Sequence, residues 1–131
     1  MKAPVIKIIL TAVTILLLTQ CKKEEVTYKA YFYTMEPTSE IQLSLYIDGK
    51  YQDKIPYLHS RLSFDNDTLK QKALLLTIKC GKHKLDVKDS QGNLKSSGIM
   101  KITKNKTSLS GRTGEQEINR QNGCLIVRLD S

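Results

Sequence analysis

Two hydrophobic textures divide the chain. From Ile8 to Leu18 the residues form one apolar run, with Lys2 and Lys7 ahead of it. Beyond residue 27 apolar residues return only in short runs of strand length. Ile41-Gln42-Leu43-Ser44-Leu45-Tyr46 alternates strictly, which places Ile41, Leu43 and Leu45 on one face. Asp48-Gly49 follows as a hairpin signal. A two-residue turn there sets Lys50, Gln52 and Lys54 opposite Ile47, Leu45 and Leu43 on the buried face. Polarity therefore favours a three-residue loop, Ile47-Asp48-Gly49, with Tyr51 opposite Leu45 and Ile55 opposite Ile41, although Asp53 then faces inward. Pro56 ends the second strand, and Leu58 to Lys70 is turn-rich and polar. Ala73 to Cys80 is continuously apolar and predicts a buried strand, with a helical turn over Asp67 to Leu76 as the other reading. His83 to Lys88 alternates, Ser90 to Asn93 turns, and Leu94 to Thr103 predicts a strand with a bulge at Gly98. Residues 105–121 are polar and carry no clear period, and Gly123 to Leu129 predicts a last strand. About seven short strands without a long amphipathic helix predict an all-β fold, a single small antiparallel β-sandwich of Ig-like type.

The opening run has the parts of an export signal: early lysines, an apolar stretch and a short polar exit. It is too short to span a bilayer core, which takes about 20 apolar residues. Leu18-Thr19-Gln20-Cys21 resembles the four-residue box of a bacterial lipoprotein signal. That resemblance implies cleavage after residue 20, lipidation of Cys21 and a firm membrane anchor, since each buried CH₂ of an acyl chain contributes about 0.8 kcal/mol. Lys22-Lys23-Glu24-Glu25 is similar to the surface-export tag of Bacteroidetes-type outer-membrane lipoproteins; a plain solvated tether is the competing reading. The expected organisation is a signal peptide over 1–20, a lipidated Cys21 with a charged tether to residue 27, and one domain over 28–131. The expected location is the outer membrane, facing the periplasm or exposed at the cell surface.

Removal of the signal leaves 111 of the 131 residues, enough for one domain with one modest core. The whole chain holds 21 Lys and Arg against 13 Asp and Glu, and two of those lysines fall in the signal. The resulting basic surface attracts anionic headgroups, acidic glycans or nucleic acid. The lysines are dispersed and no nucleic-acid motif is present, which removes nucleic acid from the expected partners. A membrane reached through the anchor, an envelope protein and an anionic glycan remain.

Cys80 and Cys124 are left once Cys21 is assigned, and two cysteines of an exported chain are expected to pair. The bridge would contribute on the order of 3 to 4 kcal/mol by closing the long loop between them. Those cysteines with His59 and His83 form a zinc-type donor set. The odd spacing of Cys80 and His83 along a strand opposes convergence. Asp65-Asn66-Asp67 lacks the glycine and glutamate of a calcium loop. His59 and His83 are the only histidines, no G-x-S-x-G is present, and Glu115 and Glu117 lie in a polar stretch. No catalytic, cofactor-binding or metal-binding residue is expected. All six tyrosines fall between Tyr28 and Tyr57. Buried tyrosines would fill a small core, whereas exposed ones such as Tyr46 and Tyr51 would stack on sugars.

Leu45-Tyr46-Ile47-Asp48-Gly49-Lys50, Pro56, Gly81-Lys82-His83-Lys84-Leu85-Asp86-Val87 and Gly92 together resemble the PEGA-type β-sandwich module over about half of the mature chain. Such modules are accessory or binding parts of envelope proteins, so the resemblance implies no catalytic residues. Asp67-Thr68-Leu69 is similar to the O-glycosylation site of exported Bacteroidetes-type proteins, which implies a sugar on Thr68. The function expected from these readings is that of a membrane-anchored, non-catalytic lipoprotein that binds or completes an envelope assembly, with residues 58–70 and 105–121 as contact loops. An inhibitor or immunity-type lipoprotein that blocks an attacking enzyme, or a glycan-binding surface lipoprotein, is the alternative.

Overall fold

The structure is a computed structural model and describes residues 26–36 and 42–131. Cys21, the signal, the charged residues 22–25 and Ile41 lie outside the described residues. The order of elements is β1 Thr27–Tyr33, β2 Ser44–Ile47, β3 Lys50–Lys54, α1 Asp67–Lys72, β4 Leu74–Lys79, β5 Gly81–Lys88, β6 Leu94–Ile102, β7 Thr107–Thr113, β8 Glu115–Gln121 and β9 Cys124–Asp130. The strands form two sheets, one ordered β4-β1-β9-β8 and the other β3-β2-β5-β6-β7. Their facing sides enclose Ala30, Phe32, Leu45, Leu85, Val87, Met100, Leu125, Val127 and Leu129. This is the expected all-β sandwich, with nine strands in place of seven.

The two extra strands, β7 and β8, come from the polar stretch 105–121. Each sits at the end of its sheet and sends little apolar surface inward: Leu109 from β7 and Ile118 from β8 reach the core half-buried. A hydrophobic period is therefore faint in both. Asn122-Gly123, with both φ angles positive, makes the tight β8–β9 turn and is the sequence signal that marks this hairpin. The sandwich is also not purely antiparallel. β1 and β9 run parallel, with Ala30 beside Leu125 and Phe32 beside Val127. Both strands are covered on two sides over their inner residues, which is why Ala30–Tyr33 and Leu125–Val127 are continuously apolar or aromatic.

The second cover comes from residues 56–66 and α1, which cross the outer side of the four-stranded sheet. Leu58, Leu62 and Leu69 pack there against Tyr33 and Ile126. The chain is pinned at the crossing by Thr34 N–H donating to the Pro56 carbonyl (3.0 Å) and Leu58 N–H donating to the Thr34 carbonyl (2.9 Å). α1 starts at Asn66, whose side-chain oxygen accepts from Leu69 N–H at 3.1 Å, and Leu69 is its buried anchor. The stretch expected to be a contact loop is thus an outer layer of the fold, and the helical reading of its end is correct.

Two further expectations fail on edge position. The Ala73–Cys80 run is an edge strand, with Leu75 48% exposed and only Ile78 fully buried. The β2–β3 hairpin uses the two-residue turn: Ile47 pairs with Lys50 and Tyr46 with Tyr51, then a bulge at Gln52 brings Leu45 opposite Asp53. Asp48 (φ 53°) and Gly49 (φ 80°) take the left-handed conformations that fit strand twist. The polarity argument assumed a covered inner side for β3. As an edge strand it leaves Lys50, Asp53 and Lys54 in solvent.

Opposite these open edges the sandwich is closed by one residue. Gly114 carries the chain from β7 in one sheet to β8 in the other at φ +74°, and an added Cβ would lie 2.6 Å from Ser96 Cβ. A Cβ at Gly98 would lie 2.5 Å from Gln116 Oε1 and push that side chain aside, a weaker constraint than the backbone contact at Gly114. The bulge expected at Gly98 lies on the partner strand: Gly98 pairs regularly with Leu85, and two residues of β7, Gly111 and Arg112, stand opposite it between Ser97 and Ile99.

Candidate functional site

The two outer sides of the sandwich differ. That of the four-stranded sheet is covered by residues 56–66 and α1, whereas that of the five-stranded sheet has no covering layer among the described residues. Strand alternation sends Leu85 and Val87 of β5 into the core and so turns Lys82, Lys84, Asp86 and Lys88 outward. The register then builds rows across the open face: Tyr51, Tyr46, Asp86, Ser97 and Thr113 in one; Lys54, Ser44 and Lys88 in the next; Lys84, Ile99 and Ser110 in another; and Lys82, Lys101 and Ser108 beyond it. Those rows contain five lysines and one carboxylate.

The tyrosines organise the centre. Tyr51 is 53% exposed and meets half-buried Tyr46 edge to face, with ring centroids 5.6 Å apart. Lys88 Nζ stands 4.5 Å from the Tyr46 ring centroid, a cation–π contact. Asp86 is almost covered; it accepts from Ser97 Oγ at 2.7 Å and lies 3.8 Å from Lys84 Nζ. The one acid of the rows is thereby neutralised in place, and the face is left cationic. Exposed Leu94 and Ile99 add apolar patches beside the lysines. At the β6–β7 end the face runs into a hollow of about 340 Å³ lined by Lys101, Thr103, Lys106, Thr107 and Ser108.

A second concavity, about 240 Å³, lies between the outer layer and β8–β9. Its charges form a closed chain. Arg61 meets Glu117 at 2.9 Å, Glu117 meets Arg128 at 3.1 Å, and Arg128 meets Asp130 at 3.2 Å. Asp130 also accepts from Thr34 Oγ1 (2.8 Å) and Met35 N–H (2.9 Å). Each acid already holds a cation, so the network ties the outer layer to the sheet.

The third feature spans the open edge between β3 and β4. Asp48 accepts from Lys84 N–H at 2.9 Å and lies 2.8 Å from His83 Nδ1, while His83 Nε2 is 2.7 Å from the Lys79 carbonyl. One histidine thus links a turn of the five-stranded sheet to the edge strand of the other sheet. Partial burial pulls the Asp48 carboxyl up, but the Lys84 amide, the His83 ring and the charge of Lys50 together hold it below the ordinary carboxylate value.

The residues singled out in the sequence do not converge. The thiols of Cys80 and Cys124 are both free. Cys80 shares the inward side of its strand with Ile78, and Cys124 shares the outward side of its strand with Ile126. β1 runs between them, so two inter-strand spacings, roughly 10 Å, separate the strands. A disulfide needs Cα atoms within about 7 Å, which makes the expected bridge geometrically impossible here. His59 lies exposed on the outer layer, away from the His83 clamp, and among the described residues no group of three or more His, Cys, Asp or Glu is placed to hold a metal. Thr68 is exposed in the first turn of α1. Tyr46 and Tyr51 do come together. The lysine rows around them were missed, although the alternation from Lys82 to Lys88 already placed three lysines on one side. No protein-family model matches the chain, and no curated protein or solved structure matches it either.

Proposed function

We propose that the chain is a lipid-anchored, non-catalytic lipoprotein of the bacterial envelope, of the kind that carries a PEGA-like binding module, and that its domain holds another envelope component against the open face of the five-stranded sheet. One observation carries the reading. Among the described residues the fold covers one outer side of its sandwich with a dedicated layer and places none over the other, which carries an aromatic pair and five lysines around a single neutralised acid. Cys21 supplies the anchor in this reading and places the domain at the outer membrane. Its position after the apolar run is the support.

The test is copurification from gently solubilised membranes of cells making the full chain, compared with Lys84→Glu/Lys88→Glu and with Cys21→Ala. The wild type is expected to bring down a fixed set of envelope components. The charge-reversed face should lose them while staying in the membrane fraction, and Cys21→Ala should leave that fraction. Identical capture by wild type and charge-reversed chain would refute the open face as the binding surface.

A further inference from the structure

We infer that the open face takes an acidic polysaccharide, a carboxylate-bearing sugar chain that lies across the strands. The inference rests on the binding-module reading above and names the class of its ligand. The tyrosine pair stands at the β3 end of the face and the lysine-lined hollow at the β7 end. Four inter-strand spacings of about 4.8 Å separate the outermost strands, roughly 19 Å, so only an extended ligand touches both features.

Charge complementarity selects an anion. Lys84, Lys88 and Lys101 face outward, Lys106 adds a fourth cation at the hollow, and Asp86 is already held by Ser97 and Lys84. All the cations of the face are lysines. They are point charges on flexible stems, suited to a polymer whose acids can slide between them, and not the fixed forks that clamp one planar anion. The aromatic pair selects a ligand with apolar ring faces. Tyr51 is exposed and Tyr46 braces it edge to face. Tyrosine offers a rigid platform for such rings with a hydroxyl for hydrogen bonding at its tip. An anionic bilayer would satisfy the lysines equally well. Of the pair only Tyr51 is freely exposed, Tyr46 being half-buried, so the rings offer a bilayer little to insert, and the vesicles below test that ligand directly.

Binding is measured on the Cys21→Ala chain, which lacks the acyl anchor that would enter any vesicle, by titration in detergent-free buffer with polygalacturonate, with polyglutamate as an acid without sugar rings, neutral dextran, and vesicles containing phosphatidylglycerol. Polygalacturonate should bind more tightly than the other three, and affinity should fall by about tenfold or more on raising salt from roughly 50 to 500 mM as the charges are screened. Lys101→Gln/Lys106→Gln should weaken binding of both acidic polymers by about tenfold. Tyr51→Ala should weaken polygalacturonate alone, by about three- to tenfold, since only the sugar polymer has rings to stack. Thermal melts of each variant that match wild type show that the fold is intact. Equal affinity for polyglutamate and polygalacturonate, preference for the vesicles, or no binding of polygalacturonate each overturns the inference. If polygalacturonate fails while Lys84→Glu/Lys88→Glu still abolishes capture from membranes, the face binds another class of partner. Only the polysaccharide assignment then falls.

Discussion

Two single residues fix the two ends of the sandwich's cross-section. At the closed side, Gly114 turns between the sheets with positive φ and with no room for a Cβ against Ser96. Gly114→Ala combines backbone strain with overpacking and should cost about 2 to 4 kcal/mol, read as a lower midpoint in urea melts at unchanged slope. At the open side, Asp48 holds the His83 ring and the Lys84 amide. Its carboxyl titrates below the ordinary value in the folded chain. The unfolded chain therefore takes up this proton first as pH falls. The stability that Asp48 contributes is complete above the ordinary carboxylate range and is lost as pH drops through the lower folded value. Asp89 acts in the same sense at the β5–β6 turn: the amides of Asn93 and Gln91 donate to it, and its carboxyl is also lowered. Asp48→Asn should flatten the acid limb of a stability–pH profile taken between about pH 2 and 6, and a limb of unchanged steepness would remove Asp48 from the account.

At the scale of elements, position in the sheet decides what the sequence reveals. β9 stands in the middle of a sheet covered on both sides, and its apolar run is plain; β1 beside it shows only as a cluster of aromatic residues broken by Lys29. β5 has one side in the core and one in solvent, and its alternation is equally plain. The elements at sheet edges mislead. β3 has polar residues on both sides because it is an exposed edge strand, β4 is apolar although half exposed, and β7 and β8 carry too little apolar surface to show a period. The cysteines illustrate the same limit. Compartment chemistry pairs Cys80 with Cys124, but which side of a strand a residue faces depends on pairings that lie far apart in sequence. Both thiols should therefore titrate as free sulfhydryls once the pure chain is unfolded in denaturant. Its thermal midpoint should be the same with and without reductant, and a midpoint lowered by reductant would restore the bridge.

For the whole molecule, the inequality of its two outer sides is the feature on which the proposed function rests. It became visible only once the layer over 56–66 was placed. The sequence showed Tyr46, Tyr51 and the lysines of β5 as candidates of unlike kinds, an aromatic pair and a dispersed basic surface. Cross-strand register is what joins them into one face with the hollow beside Lys101 and Lys106. The central parallel pair has a different kind of consequence. β1, near the start of the described chain, lies between β4 and the last strand, β9, and β8 joins the sheet only through β9. The hydrogen bond from Thr34 to Asp130 spans 96 positions of sequence. Contacts of such separation make folding slow, in the range of milliseconds to seconds for sandwiches of this size. They also make it late: until β9 has emerged, β8 has no neighbour in its sheet and β1 has one flank bare. For the exported lipoprotein proposed above, that delay would help the chain to cross a membrane as an unfolded thread, because β9, which joins β8 to β1, follows them both in the chain.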